Sequence, residues 1–196
     1  MRTWILGACL FGACLAALGQ DRFLQAEEVA AADELQSGIP IGERADEFLV
    51  KDCTGPAAGK TLCYFCRYGI RPVVCVFSKS PPAEIGDLVA GVDKLVGAHR
   101  DASAAGFVVS LGSDTAEAEQ GWRSLAQERR IVRVPLTIYK DRRDRLRDIF
   151  QISPDASLTI LVWRRGVVCE NVALSSPPGE QLEQLLARVE KALTAE

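Results

Sequence analysis

Residues 72–78 read Pro-Val-Val-Cys-Val-Phe-Ser, and residues 79–82 continue Lys-Ser-Pro-Pro. The first stretch is apolar on alternate and on intervening positions alike. That is the pattern of a central strand covered on both faces. The second stretch is a helix start, with Ser80 as the expected cap and Pro81 pre-set for the first turn. Ile85, Leu88, Val89, Val92, Leu95 and Val96 then recur on one helical face. A buried strand feeding directly into an amphipathic helix points to an α/β layer structure.

Reading toward the C-terminus, a strand is predicted at 107–110. A helix follows, with Asp114 and Glu117 as a capping-box-like start and Ala118, Trp122 and Leu125 as its buried stripe. A short strand is predicted within 132–138, and a short helix over 141–150 turns Leu146, Ile149 and Phe150 inward. Residues 158–163 and 167–174 are strands around Arg164-Arg165-Gly166, too close in sequence for anything but an antiparallel hairpin. A last helix after Ser176-Pro177-Pro178 buries Leu182, Leu185, Leu186, Val189 and Leu193. Reading toward the N-terminus, residues 48–51 are a further strand, followed by turn residues Thr54, Gly55, Pro56 and Gly59. The expected order is strand, strand, helix, strand, helix, short helix, hairpin, helix.

The first nineteen residues stand apart. Arg2 precedes an apolar run from Trp4 to Leu18, and Ala17-Leu18-Gly19 fits a small-residue cleavage site. Residues 1–19 read as a secretory signal peptide, with an uncleaved anchor as the alternative. Residues 20–39 are a polar, Ala-rich lead-in with helical character, broken at Ser37-Gly38-Ile39-Pro40. Residues 40–196 are the domain. Removing the signal takes away Arg2 and no acid, so a net charge of −3 becomes −4. Nothing in that balance attracts a nucleic-acid backbone. No segment after the signal is long enough to span a membrane. The expected location is exported, either periplasmic or secreted.

Seven cysteines are present. Cys9 and Cys14 leave with the signal, and Cys53, Cys63, Cys66, Cys75 and Cys169 remain. An oxidising compartment favours at least one disulfide, and an odd number leaves a thiol over. Cys63-Tyr64-Phe65-Cys66 is a Cys-x-x-Cys pair with Arg67 and Arg71 nearby, whose charge would favour a thiolate. Tyr64, Phe65 and Tyr68 offer an apolar contact surface. Three readings stand open: a structural disulfide, a redox pair, and free or metal-bound thiols. Cys53, Cys63, Cys66 and Cys75 could be grouped as four sulfur ligands, but their spacing matches no usual paired zinc motif. Cys75 and Cys169 read as small core residues.

Other chemistry finds little purchase. His99 is the single histidine, which excludes a histidine-rich metal site, and no nucleophile elbow accompanies it. It reads as a packed or half-buried side chain. Arg129, Arg130, Arg133, Lys140, Arg142, Arg143, Arg145 and Arg147 are interrupted by Asp141, Asp144 and Asp148. That alternation reads as a solvated face with local ion pairs, with an anion or acidic partner as the sharper alternative. No phosphate-binding glycine loop is present.

Several stretches together carry a family likeness. They are Ile41-Gly42 with Ala45, Asp46, Glu47 and Phe48; Asp52, Thr54, Gly55, Gly59 and Lys60; the central strand at 72–78; and Phe150-Gln151-Ile152 followed by Leu158 to Val168. In this order, over about residues 40–195, the chain resembles the thioredoxin superfamily and within it the peroxiredoxin and alkyl hydroperoxide reductase branch. The resemblance implies a mixed sheet with helices on both faces, closed by a C-terminal antiparallel hairpin plus helix.

The departures bear on function. The family's reactive cysteine lies just after the central strand, where this chain has Ser78-Lys79-Ser80-Pro81-Pro82. Its cis-proline precedes the closing hairpin, where this chain has Leu158. Cys63 and Cys66 lie before the central strand. Seven residues at about 3.3 Å each put that end roughly 20 Å from the usual site. Two functions follow as expectations. One is an exported protein exchanging disulfides with a protein thiol or disulfide partner through Cys63 and Cys66, with no organic cofactor. The other is a non-catalytic thioredoxin-fold binding module in which the same pair is structural or inert.

Overall fold

The strand expected at 72–78 runs Val73–Ser78 and is buried along its whole length. It lies inside a mixed sheet of seven strands, in a computed structural model that describes residues 35–140 and 143–195. The signal peptide expected at 1–19 and the expected lead-in through residue 34 lie outside the described residues. In chain order the elements are β1 (Val50–Asp52), β2 (Thr61–Leu62), α1 (Tyr64–Tyr68), β3 (Val73–Ser78), α2 (Pro82–Ala98), β4 (Ala105–Ser110), α3 (Ala116–Glu128), β5 (Leu136–Tyr139), α4 (Arg143–Phe150), β6 (Leu158–Arg164), β7 (Val167–Leu174) and α5 (Leu182–Thr194). A single 3-10 turn, Gly179–Gln181, leads into α5.

The strands lie in the order β2-β1-β5-β4-β3-β6-β7. The β3–β4 and β4–β5 pairs are parallel, and β6, β7, β1 and β2 join antiparallel. The pleat sends alternate side chains of β3 to opposite faces. Val74 and Val76 enter a core with Ile85, Leu88 and Val92 of α2, Trp122 and Leu125 of α3, and Leu185 and Val189 of α5. Val73, Cys75 and Phe77 enter a second core with Tyr64 of α1, Leu146 and Phe150 of α4, and Ile39 and Phe48. Helices on both faces and a closing hairpin plus helix are therefore present as the sequence implies.

The β6–β7 turn is two residues long. Arg165 and Gly166 both have positive φ, at 53° and 76°. That is the twist a tight hairpin requires, and glycine supplies it without steric cost. Ahead of β1, residues 37–45 run along β7 and β6. Gly42 N donates to Val168 O, Val168 N to Glu43 O, and Ala45 N to Gly166 O. Ser37 Oγ meets Thr159 Oγ1 at 2.6 Å, and Gly38 N donates to Gln151 O at 3.0 Å.

Several boundaries differ from expectation for local reasons. The residue before a proline avoids helical backbone angles. Pro82 therefore holds Pro81 extended (φ −65°, ψ 157°), and Pro81 is the cap of α2, not Ser80. The Ser80 carbonyl instead accepts Ser78 Oγ at 3.1 Å. Thr115 caps α3 by accepting from Ala118 N at 3.2 Å. Asp114 is drawn away by Lys51 and Lys140, at 3.2 and 2.6 Å. The first strand begins at Val50, with Phe48 already packed in the core. The strand predicted within 132–138 starts only at Leu136, because buried Asp93 takes the N–H groups of Val132, Arg133 and Val134.

Candidate redox site

Cys63 and Cys66 are joined as a disulfide, with Cα atoms 5.3 Å apart. Of the readings left open by the sequence, free thiols and metal ligation are not what the structure contains. The grouping of four sulfurs is not formed. Cys53 lies in the core under α2 and α3, whereas Cys75 points into the opposite core. No cluster of three or more metal-ligating side chains occurs among the described residues.

The disulfide is built on α1, a single turn that sequence periodicity does not reveal. Cys63 leaves β2 with extended backbone (φ −104°, ψ 111°) and caps the turn, its Sγ accepting Cys66 N–H at 3.0 Å. Gly69, at φ 60°, ends it and donates to Phe65 O at 3.1 Å. Inside that turn the aromatic residues face the protein. Tyr64 stacks on Phe107 with centroids 5.3 Å apart, Tyr68 lies 5.3 Å from Tyr64, and Phe65 packs 6.0 Å from Trp163. The apolar contact surface expected from Tyr64, Phe65 and Tyr68 is thus mostly spent inward. Tyr64 is buried, and Tyr68 donates to Gly106 O at 3.3 Å. The exposed apolar side chain nearby is Ile70, at 79%.

A buried carboxylate fixes α1 from below. Asp52 accepts the N–H groups of Thr54, Gly55 and Ala57 at 3.1, 2.6 and 2.8 Å, and Tyr64 Oη at 2.8 Å. Burial and that bond to Asp52 push the Tyr64 phenol far above its ordinary range, so it stays a donor. Sequence reading identified the turn at 54–59 but not this role for Asp52. The signal was there in Asp followed two and three residues later by Thr and Gly, the pattern of a carboxylate closing its own turn.

The two cysteines differ in exposure. Cys66 is exposed, Cys63 half-buried. A Glu47 carboxylate oxygen lies 3.7 Å from Cys66 Sγ. Arg67 follows, exposed. The pair sits at the amino end of β3, since Arg165 N in the β6–β7 turn donates to Ile70 O at 3.2 Å and Val73 pairs with Trp163. At the other end Ser78 pairs with Leu158, beside the start of α2. Five residues separate Trp163 from Leu158, roughly 17 Å at strand spacing. The two places lie at opposite ends of β3, as chain order implied.

The remaining candidates are buried or paired within the fold. Burial pushes the Cys53 thiol up to about 11, Cys75 well above its ordinary value and Cys169 up as well, so all three stay protonated at neutral pH. Cys169 contacts the Val162 and Ala192 carbonyls. His99 is half-buried, with Nε2 2.8 Å from Glu190 Oε1. In the basic stretch, Arg129 pairs with Asp87, Arg133 with Asp93 and Lys140 with Asp114, each reaching another element.

No protein-family model and no curated protein sequence matches the chain. Solved structures do. A peroxidoxin of Mycobacterium tuberculosis is 14% identical with a TM-score of 0.56, over 77% of this chain and 96% of that one. A reduced 2-Cys peroxiredoxin of Plasmodium vivax is 13% identical with a TM-score of 0.57, over 76% and 80%. The thioredoxin domain of a thiol-disulfide oxidoreductase of Bacteroides vulgatus is 13% identical with a TM-score of 0.51, over 77% and 99%. With a seven-stranded mixed sheet, helices on both faces and a closing hairpin plus helix, the chain has the thioredoxin-like fold.

Proposed function

We propose that this is an exported protein that exchanges disulfides with protein thiols through Cys63 and Cys66. The observation that carries the reading is a disulfide whose Cys66 is an exposed residue on a rigidly anchored turn. A structural role explains it less well. Closing a loop of four residues contributes only about 2 kcal/mol by the chain-entropy argument. The aromatic packing and the Tyr64–Asp52 bond already hold α1 in place. In each exchange a partner dithiol loses two electrons, its S–S bond forms, and the Cys63–Cys66 bond breaks to two thiols. The leading segment at 1–19 supports export, and the fold is one that other proteins use for thiol chemistry.

The alternative, a binding module with an inert disulfide, draws support from position. The pair lies at the amino end of β3, away from the start of α2 where the resemblance implies the reactive cysteine. Reduction potential separates the two. Equilibration of residues 20–196 with thiol buffers should reveal a reversible couple between about −270 and −120 mV, absent in the Cys63→Ser, Cys66→Ser double variant. A bond that stays closed below about −300 mV favours the inert module.

A further inference from the structure

The two sulfurs are not equivalent, and the geometry points to Cys66, the second cysteine of the pair, as the one that forms the mixed disulfide with the partner. This rests on the exchange reading above and assigns each sulfur its part in it. An incoming thiolate must reach a sulfur along the S–S axis, from the side away from the bond. Cys66 is exposed and Cys63 is half-buried at the junction of β2 and α1. Access therefore favours attack at Cys66.

The leaving group points the same way. The sulfur that departs does so as a thiolate, and the better-stabilised thiolate leaves faster. Cys63 Sγ accepts the Cys66 N–H at 3.0 Å, a bond that strengthens when the acceptor becomes an anion. Cys66 Sγ has a Glu47 carboxylate oxygen 3.7 Å away, and like charge disfavours a thiolate there. Arg67 and Arg71 lie near both sulfurs in sequence and do not distinguish them.

The steps balance. A partner thiolate attacks Cys66 Sγ, a partner–Cys66 S–S bond forms, the Cys63–Cys66 bond breaks, and Cys63 leaves as a thiolate that takes a proton from water. A second partner thiolate then attacks the partner's own sulfur in that mixed disulfide and releases Cys66. The partner leaves oxidised by two electrons and the protein reduced by two. In the opposite direction Cys66 attacks a partner disulfide and Cys63 resolves the adduct.

The test uses oxidised protein covering residues 20–196, with glutathione as the thiol probe and an alkylating agent added to trap the released sulfur. Peptide mapping with fragmentation reads which cysteine carries which group. Glutathione on Cys66 with alkylated Cys63, at about ten to one or better, is the expected result. Glutathione on Cys63, or an even division, overturns the assignment while leaving the exchange reading standing. No adduct at either sulfur overturns both.

Discussion

Tyr64 ties the disulfide turn to the sheet through one hydroxyl. Its bond to Asp52 joins a charged acceptor that already receives three backbone N–H groups. Hydrogen bonds to charged groups contribute about 1.5–3 kcal/mol. Tyr64→Phe should lower stability by that amount in chemical denaturation while its ring still packs on Phe107. Gly55 explains why the arrangement admits no side chain there. A Cβ at that position would stand 2.5 Å from Tyr64 Oη and 2.7 Å from Asp52 Oδ2. The buried thiols give a pH signature. Cys53 is raised from 9.0 to about 11 by burial. The unfolded chain thus loses this proton first, and stability falls as pH rises from about 9 to about 11. Denaturation midpoints across that window should decline, and less steeply in Cys53→Ala.

At the scale of elements, α1 holds its shape through aromatic anchors more than through its covalent bond. The Cys63→Ser, Cys66→Ser variant should therefore stay folded and melt only about 4–8 °C lower, from the roughly 2 kcal/mol of loop closure. A melt that collapses to an unfolded chain at room temperature would assign the disulfide to structure. The same elements show what sequence makes legible. β3, β6 and β7 were readable because their apolar runs are long and their turn is Arg-Gly. α2 was readable because six apolar positions share one face. α1 was not, because five residues complete barely one helical turn and leave no period to detect. The caps at Pro81 and Thr115 were missed for a tertiary reason in one case and a local one in the other. Asp114 is recruited by lysines distant in sequence, and Pro82 shifts the helix start by one residue. The site itself was half legible. The cysteine pair and its distance from Leu158 follow from chain order alone. The inward turn of Tyr64 and the carboxylate beneath it required the fold.

Across the whole molecule, long-range polar ties place the loops that the hydrophobic pattern leaves free. Asp93 on α2 gathers Val132, Arg133 and Val134 by their N–H groups, and the Arg133 guanidinium at 3.1 Å. Removing that carboxylate leaves the buried Val134 N–H and the part-buried N–H groups of Val132 and Arg133 without this acceptor. Asp93→Ala should cost at least about 3 kcal/mol in denaturation experiments, well beyond a surface substitution. The single histidine, paired with Glu190 of α5, and Arg129, paired with Asp87 of α2, tie helix ends to neighbouring helices in the same manner.

The strip at 42–45 occupies the outer side of β7, the last strand of the sheet on that flank. Unpaired margins of sheets template aggregation when they are left bare. A chain cut back to start at Glu47 would uncover the Gly166 and Val168 backbone groups, and such a shortened form should assemble into insoluble stacks at concentrations where residues 20–196 remain dispersed.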